Sequence, residues 1–240
     1  MLNLNNVTLI SVDTLSPERT IFALNESMKN IKFAATKLIT LDTFNPSNFD
    51  IDNIDLVYNN SLTTYESVSN FILYEVFEYI DTDYAMFIEW DGYILNHNAW
   101  NKRFLDYDYI GAPWKVRRTS KRWEGLSDVI DKNKFVVGNG GFCIKSRRLL
   151  KFLGTDSYIT GQINDEYLNQ DMSICRKNRR YLMDNGFTFA PTGIAHKFSA
   201  ERVKYKNQFG WHMFSRRMLP RTVLDNKWVK EYYNINPQKY

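Results

Sequence analysis

The 240-residue sequence predicts an α/β fold, with a mostly parallel central sheet and helices on both faces, in one domain. Three observations carry that expectation. Val7 to Val12 (V-T-L-I-S-V) is β-branched and bounded by Asn and Asp, so it reads as a strand; apolar residues at Ile21, Leu24 and Met28 then follow at helical spacing. Strand and helix signals go on alternating as far as Ile88, the pattern of βαβ units. Finally, Ala85-Met86-Phe87-Ile88 is a short, continuously apolar run closed off by Gly92, which is how a strand covered on both faces reads.

Taken in order, the first strand delivers Asp13 and Thr14 at its carboxyl end, and Ser16-Pro17 offers a cap and a first-turn proline for a helix over Glu18 to Lys29. Ile31 to Leu41 and Asp55 to Tyr58 read as the next two strands, separated by a polar loop that holds Pro46. From Ser61 to Ile80 apolar residues recur at three and four, which predicts one long amphipathic helix leading into the Ala85–Ile88 strand. A short helix is expected over Asn98 to Leu105, around Trp100 and Phe104. Val136 to Lys145 holds three glycines and an asparagine between β-like runs. Those residues indicate either a hairpin turn or a backbone that a ligand must approach closely. Ser146 opens a helix through Phe152, and Asp165 to Met183 predicts another, with Gln170 and Asp171 near its start. Phe187 to Ala190 and Ile194 to Phe198 read as closing strands around Pro191-Thr192-Gly193.

Hydrophobic residues make up 44% of the chain and aromatics 15%, without repeats, which excludes a disordered protein. The net charge of +4 suits an anionic ligand or surface and falls short of the bias expected for nucleic-acid binding. Cys143 and Cys175 are too few for a disulfide scaffold or a zinc site, so reduced thiols and a cytoplasmic location are expected. No signal-length or membrane-spanning apolar run is present, which leaves peripheral membrane contact as the most a bilayer would be offered. The glycine-rich fingerprints of dinucleotide folds and P-loop enzymes are missing.

The chemistry concentrates at Glu89-Trp90-Asp91. On a strand, Glu89 and Asp91 share a face, and two acids at a strand tip suit a hard divalent cation, Mg²⁺ or Mn²⁺, which would neutralise a diphosphate. Surface acids placed for solubility give the same pattern. Lys115 to Arg122 is either a solvated basic loop or a cradle for phosphates.

V-T-L-I-S-V-D-T, E-W-D-G-Y-I-L-N, Y-D-Y-I-G-A-P-W, V-G-N-G-G-F, F-A-P, F-S-A-E and F-G-W-H occur in that order along most of the chain. Together they resemble a bacterial, fungal and viral family catalogued mainly as a domain of unknown function and grouped with the GT-A glycosyltransferases. The resemblance implies a nucleotide-sugar-binding half over residues 1–105 and an acceptor-binding half over 106–240. It implies a metal site at Asp91 with Glu89 and His212, holding Mn²⁺ or Mg²⁺, and places Asp13 and Thr14 near the base or ribose. It brings Gly138, Asn139, Gly140 and Gly141 towards the donor sugar or acceptor, and Trp114 towards the acceptor. Many inverting relatives carry an acidic pair at a helix start; here the pair reads Gln170-Asp171, making Asp171 the expected base, with Asp165 and Glu166 as runners-up. The implied activity is metal-dependent sugar transfer from a nucleotide-sugar to a glycan or lipid-linked glycan. A non-catalytic carbohydrate- or nucleotide-binding protein on the same fold is the alternative, favoured by Gln170.

Overall fold

The computed structural model describes residues 1–116, 123, 125–163, 169–201, 203–212, 223 and 225–235. Strand β1 (Leu2–Val12) is followed by helix α1 (Pro17–Met28), β2 (Ile31–Thr40), β3 (Asp55–Tyr58), α2 (Tyr65–Tyr74) and β4 (Tyr84–Ile88). After these come β5 (Tyr109–Gly111), β6 (Pro113–Lys115), β7 (Phe135–Val137), β8 (Phe142–Ser146), α3 (Arg147–Thr155) and α4 (Ser157–Thr160). The remaining elements are α5 (Gln170–Met172), α6 (Arg179–Asp184), α7 (Thr192–Phe198), β9 (Ser199–Ala200), β10 (Gly210–Trp211) and a helix over Lys227–Ile235.

The central sheet runs β3-β2-β1-β4-β8-β5. Its first four strands are parallel, and β8 is antiparallel to both β4 and β5. The interior strands are buried as their sequences predict: Leu9, Ile10, Leu38, Met86 and Ile144 have no exposed surface, consistent with cover on both faces. A parallel sheet gathers its strand ends on one side, so β1 and β4 both finish towards the same cavity.

Several expectations need correcting. The first strand begins at Leu2, not Val7, because its early residues pair with β2. Ser16 stands at the N-cap position of α1 but makes no side-chain bond there; Asp13 instead accepts from the Leu15 and Ser16 amides and the Thr20 hydroxyl. The long helix expected from Ser61 starts at Tyr65, where Thr64 and Ser67 form a reciprocal capping box, and tightens into a 3₁₀ turn over Val76–Tyr79. Asn98 to Leu105 is two 3₁₀ turns, His97–Ala99 and Lys102–Leu105, pinned by the edge-on packing of Trp100 against Phe104. Ile194 to Phe198 is helical, since Ile194, Ala195 and Phe198 bury on one helical face. Phe187 to Ala190 contributes only one bridge, Phe189 to Tyr109.

The helix expected from Asp165 is interrupted. The α5 turn passes into a π-helical turn over Ser173–Lys177 before α6 begins. Asp165 and Glu166 lie outside the described residues, as does most of the basic stretch after Val116. The glycine-rich segment is not a hairpin: β7 pairs with β6 in a separate small sheet, while β8 enters the main one.

Candidate active site

Segments from both halves of the chain meet around a cavity of about 810 Å³ beyond the strand ends. The end of β1 supplies Asp13 and Thr14, the β4 tip supplies Glu89 and Trp90, the segment after β7 supplies Asn139, Gly140 and Gly141, and α5 supplies Gln170 and Asp171. His212 comes from just beyond β10, and Trp114 from β6. Gly138 is not on the wall: it lies beneath the Trp114 ring, where a Cβ would sit 2.2 Å from the indole. Asp91 also stands off the wall, behind Glu89, within reach of His212.

Strand alternation does not bring the two acids together. The strand ends at Ile88, and Glu89 and Gly92 exchange backbone hydrogen bonds across Trp90 and Asp91, a tight reversal that folds the Asp91 carboxylate back beside Glu89. His212 Nε2 then lies 3.5 Å from Glu89 Oε2 and 3.6 Å from Asp91 Oδ1. One ligand atom from each of the three falls within 4.8 Å of the others. The imidazole is held by its backbone, whose amide donates to the Ala200 carbonyl, and by Asn139, whose Nδ2 lies 2.6 Å from His212 Nδ1. Asn139 adopts a left-handed φ of 69°, and its Oδ1 accepts from the Phe142 amide, which turns its side chain towards the ring.

The glycines answer to close approach, not to backbone conformation. A Cβ on Gly141 would sit 2.1 Å from His212 Nε2, and one on Gly92 2.8 Å from His212 Cδ2, so the ring slides between two bare backbones. A Cβ on Gly140 would meet the Gln170 amide nitrogen at 1.8 Å.

The electrostatics are those of a crowded acidic site. Burial pushes the Asp91 carboxyl up to about 6, with His212 opposing the shift and Glu89 adding to it. Burial disfavours the Glu89 charge as well, but the His212 hydrogen bond and charge hold its carboxyl below the ordinary value. Its side chain keeps 49% of its surface open because it faces the cavity. Burial lowers His212, and the two carboxylates more than reverse that, taking it up to about 10. Asp171 is raised, chiefly by burial, although the Met172 amide donates to it at 2.7 Å.

The donor set of two carboxylates and one imidazole fits a divalent cation of the Mn²⁺ or Mg²⁺ kind, the imidazole leaning towards Mn²⁺. Asp13 lines the cavity with both carboxylate oxygens engaged in shaping the β1–α1 turn, and Thr14 and the Thr63–Tyr65 turn line the same end. Trp90, Trp123, Lys145 and Glu201 were missed in the sequence. Lys145 carried a signal, a charge inside an otherwise apolar run, and Glu201 closes the F-S-A-E string.

A family model described as "Protein of unknown function (DUF5672)" matches residues 51–212. No curated protein matches the chain. Among solved structures, the chain is similar to the galactosyltransferase LgtC in complex with donor and acceptor sugar analogs, with a TM-score of 0.56 and 12% identity over 95% of each chain. It is also similar to an active-site mutant of LgtC that exchanges a glutamine for glutamate, with a TM-score of 0.52 and 12% identity over 95% of this chain and 94% of that one. At such identity the likeness is one of fold, and the fold is the GT-A type of these glycosyltransferases.

Proposed function

Since the chain belongs to the family described as a protein of unknown function (DUF5672), we propose an activity from the site itself: metal-dependent transfer of a sugar from a nucleotide-sugar to a glycan or lipid-linked glycan. The observation that carries this reading is the convergence of Glu89, Asp91 and His212 beside a cavity that also presents Asp171. Residues 1–105 are read as the nucleotide-sugar half and 106–240 as the acceptor half.

Glu89, Asp91 and His212 would hold the ion, which when bound offsets the negative charge of a departing diphosphate. Thr14 and the capped turn at Thr64 stand where the nucleoside would lie, beyond the parallel strand ends. Trp114, stacked over Gly138 and tilted against Trp123 at 6.2 Å, offers an apolar face to an acceptor sugar. Asp171, a half-buried carboxyl with a raised pKa, is suited to take the proton of an attacking hydroxyl. Exchanging Asp171 for Asn is expected to lower turnover by about 10²–10⁴ while leaving diphosphate binding intact. Unchanged turnover by the folded variant would remove Asp171 from the chemistry.

The direct test is calorimetric titration of nucleoside diphosphates into the protein, with Mn²⁺ or with a chelator, alongside Asp91→Ala. One diphosphate should bind, and only with both the ion and Asp91 present. Binding that ignores both would sink the metal reading. The non-catalytic alternative rested on Gln170, and the Gln170 carbonyl is held by Lys145, so the departure from an acidic pair is not in itself a mark of lost turnover.

A further inference from the structure

Lys145 has no exposed surface, yet it carries an ammonium group into the centre of the molecule. It projects from β8 between β4 and β5, where its register partners are Ala85 and Tyr109. Its Nζ makes one hydrogen bond, to Gln170 Oε1 at 2.5 Å, and lies 4.0 Å from the centre of the Phe87 ring. Burying an ammonium is costly unless it is paired and hydrogen-bonded. Burial lowers its pKa, and the charges of Asp171 and Glu89 offset part of that cost without bonding to it.

An ammonium group can only donate, so the atom facing it must be the amide oxygen of Gln170. That removes the usual ambiguity of a glutamine side chain. The other end of the amide, Nε2, then lies over Gly140, where any side chain would displace it, and Gln170 and Gly140 are neighbours on the cavity wall.

We infer that Lys145 is a positioning residue: it locks the Gln170 amide with its carbonyl inward, so that Gln170 offers the cavity a hydrogen-bond donor for an oxygen of the ligand's sugar. The ligand part of this rests on the donor-site reading above; the coupling of the two side chains does not. A glutamine held this way is a donor, not an acceptor or a nucleophile. The bare backbone at Gly140 is then room reserved for that amide.

Two measurements test it. In thermal melts at pH 7 without ligand, Gln170→Glu should raise the melting temperature by about 2–4 °C, because the buried ammonium gains a counter-charge. The same exchange in a Lys145→Met background should lower it, because the carboxylate is then buried unpaired. The same sign in both backgrounds overturns the coupling. In the second measurement, calorimetry compares nucleoside diphosphates with their hexose-bearing forms, in the uridine, guanosine and thymidine series with Mn²⁺ present. The wild type should prefer one hexose-bearing form. Lys145→Met and Gln170→Met should each reduce that preference by about fivefold, the worth of one hydrogen bond, with no further loss in the double variant.

A preference that survives Lys145→Met, or losses that multiply, overturns the positioning role. A wild type that prefers no hexose-bearing form overturns the sugar-facing donor. A wild type that binds no probe overturns the donor-site reading itself, and the melts still decide the coupling.

Discussion

His212 carries a proton that an incoming cation must displace. The carboxylates of Asp91 and Glu89 outweigh burial and push its pKa up to about 10, so Nε2 faces them as an N–H, and an ion that takes Nε2 must displace that proton. Mn²⁺ titrations in two buffers of different ionisation enthalpy should therefore show release of about one proton per ion, with affinity climbing as pH rises towards 10. No proton release would take His212 out of the ligand set. A second residue governs acid stability. Asp108 is buried and accepts from Arg148, Ser146 and Thr188, contacts that outweigh burial and depress its pKa. The unfolded carboxyl protonates near 3.8 and the folded one resists, so the unfolded chain binds more protons. The stability Asp108 contributes is thus present above about pH 4 and falls away below it, as the pH drops through the folded value. Asp108→Asn should cost about 3 kcal/mol in urea melts at pH 7, a loss that narrows as the acid limb is approached. At this scale Asp91, His212 and Asn139 stand out as candidates because each sits in an unusual short string, and Asp171 because it stands at an expected helix start. Lys145 and Glu201 left local signals, a charge inside an apolar run and the end of F-S-A-E, but their surroundings come from residues far away in sequence.

Among the elements, the segment from Val137 to Phe142 is the most demanding. It leaves one sheet, passes under Trp114, carries Asn139 to His212 and joins the main sheet at β8, with each glycine facing a different obstacle. Gly141→Ala must push His212 away from Glu89, so Mn²⁺ binding should be lost while the far-ultraviolet dichroism remains native. Retained Mn²⁺ affinity would show that the imidazole is not needed in that position. The glycines stood out in the sequence, but they were equally compatible with a hairpin, because the reason for them is a neighbour and not a torsion. Strand and helix assignments failed where runs were short. Ile194 to Phe198 is too brief for a period of two and one of 3.6 to be told apart, and Asn98 to Leu105 has two aromatic anchors but too few residues to sustain a helix. The parallel half was read almost intact, since β-branched runs and amphipathic spacing fix such elements locally; the antiparallel entry of β8 depends on a long return of the chain.

For the molecule as a whole, the core around Leu9, Ile10, Leu38, Met86, Phe142 and Phe198 is continuous and apolar without any contribution from the three acidic-cluster side chains, so the fold should stand without an ion. Metal and nucleotide would then stabilise it only by mass action: about 2.7 kcal/mol at a hundredfold excess over Kd. In a chain of this size that is roughly 5–10 °C in melting temperature. The increment should vanish in Asp91→Ala, and a chelator alone should leave the wild-type melt where it was. A collapse on chelation would make the ion structural. The order of the ligands along the chain has a further consequence. Glu89 and Asp91 lie in the first half and His212 well into the second, just beyond the short strand that pairs with β9. A chain emerging from the ribosome acquires its first strands, its cavity floor and its two carboxylates early, and its imidazole late. The imidazole that would complete an ion centre is thus made long after the two carboxylates, and until then that centre cannot close.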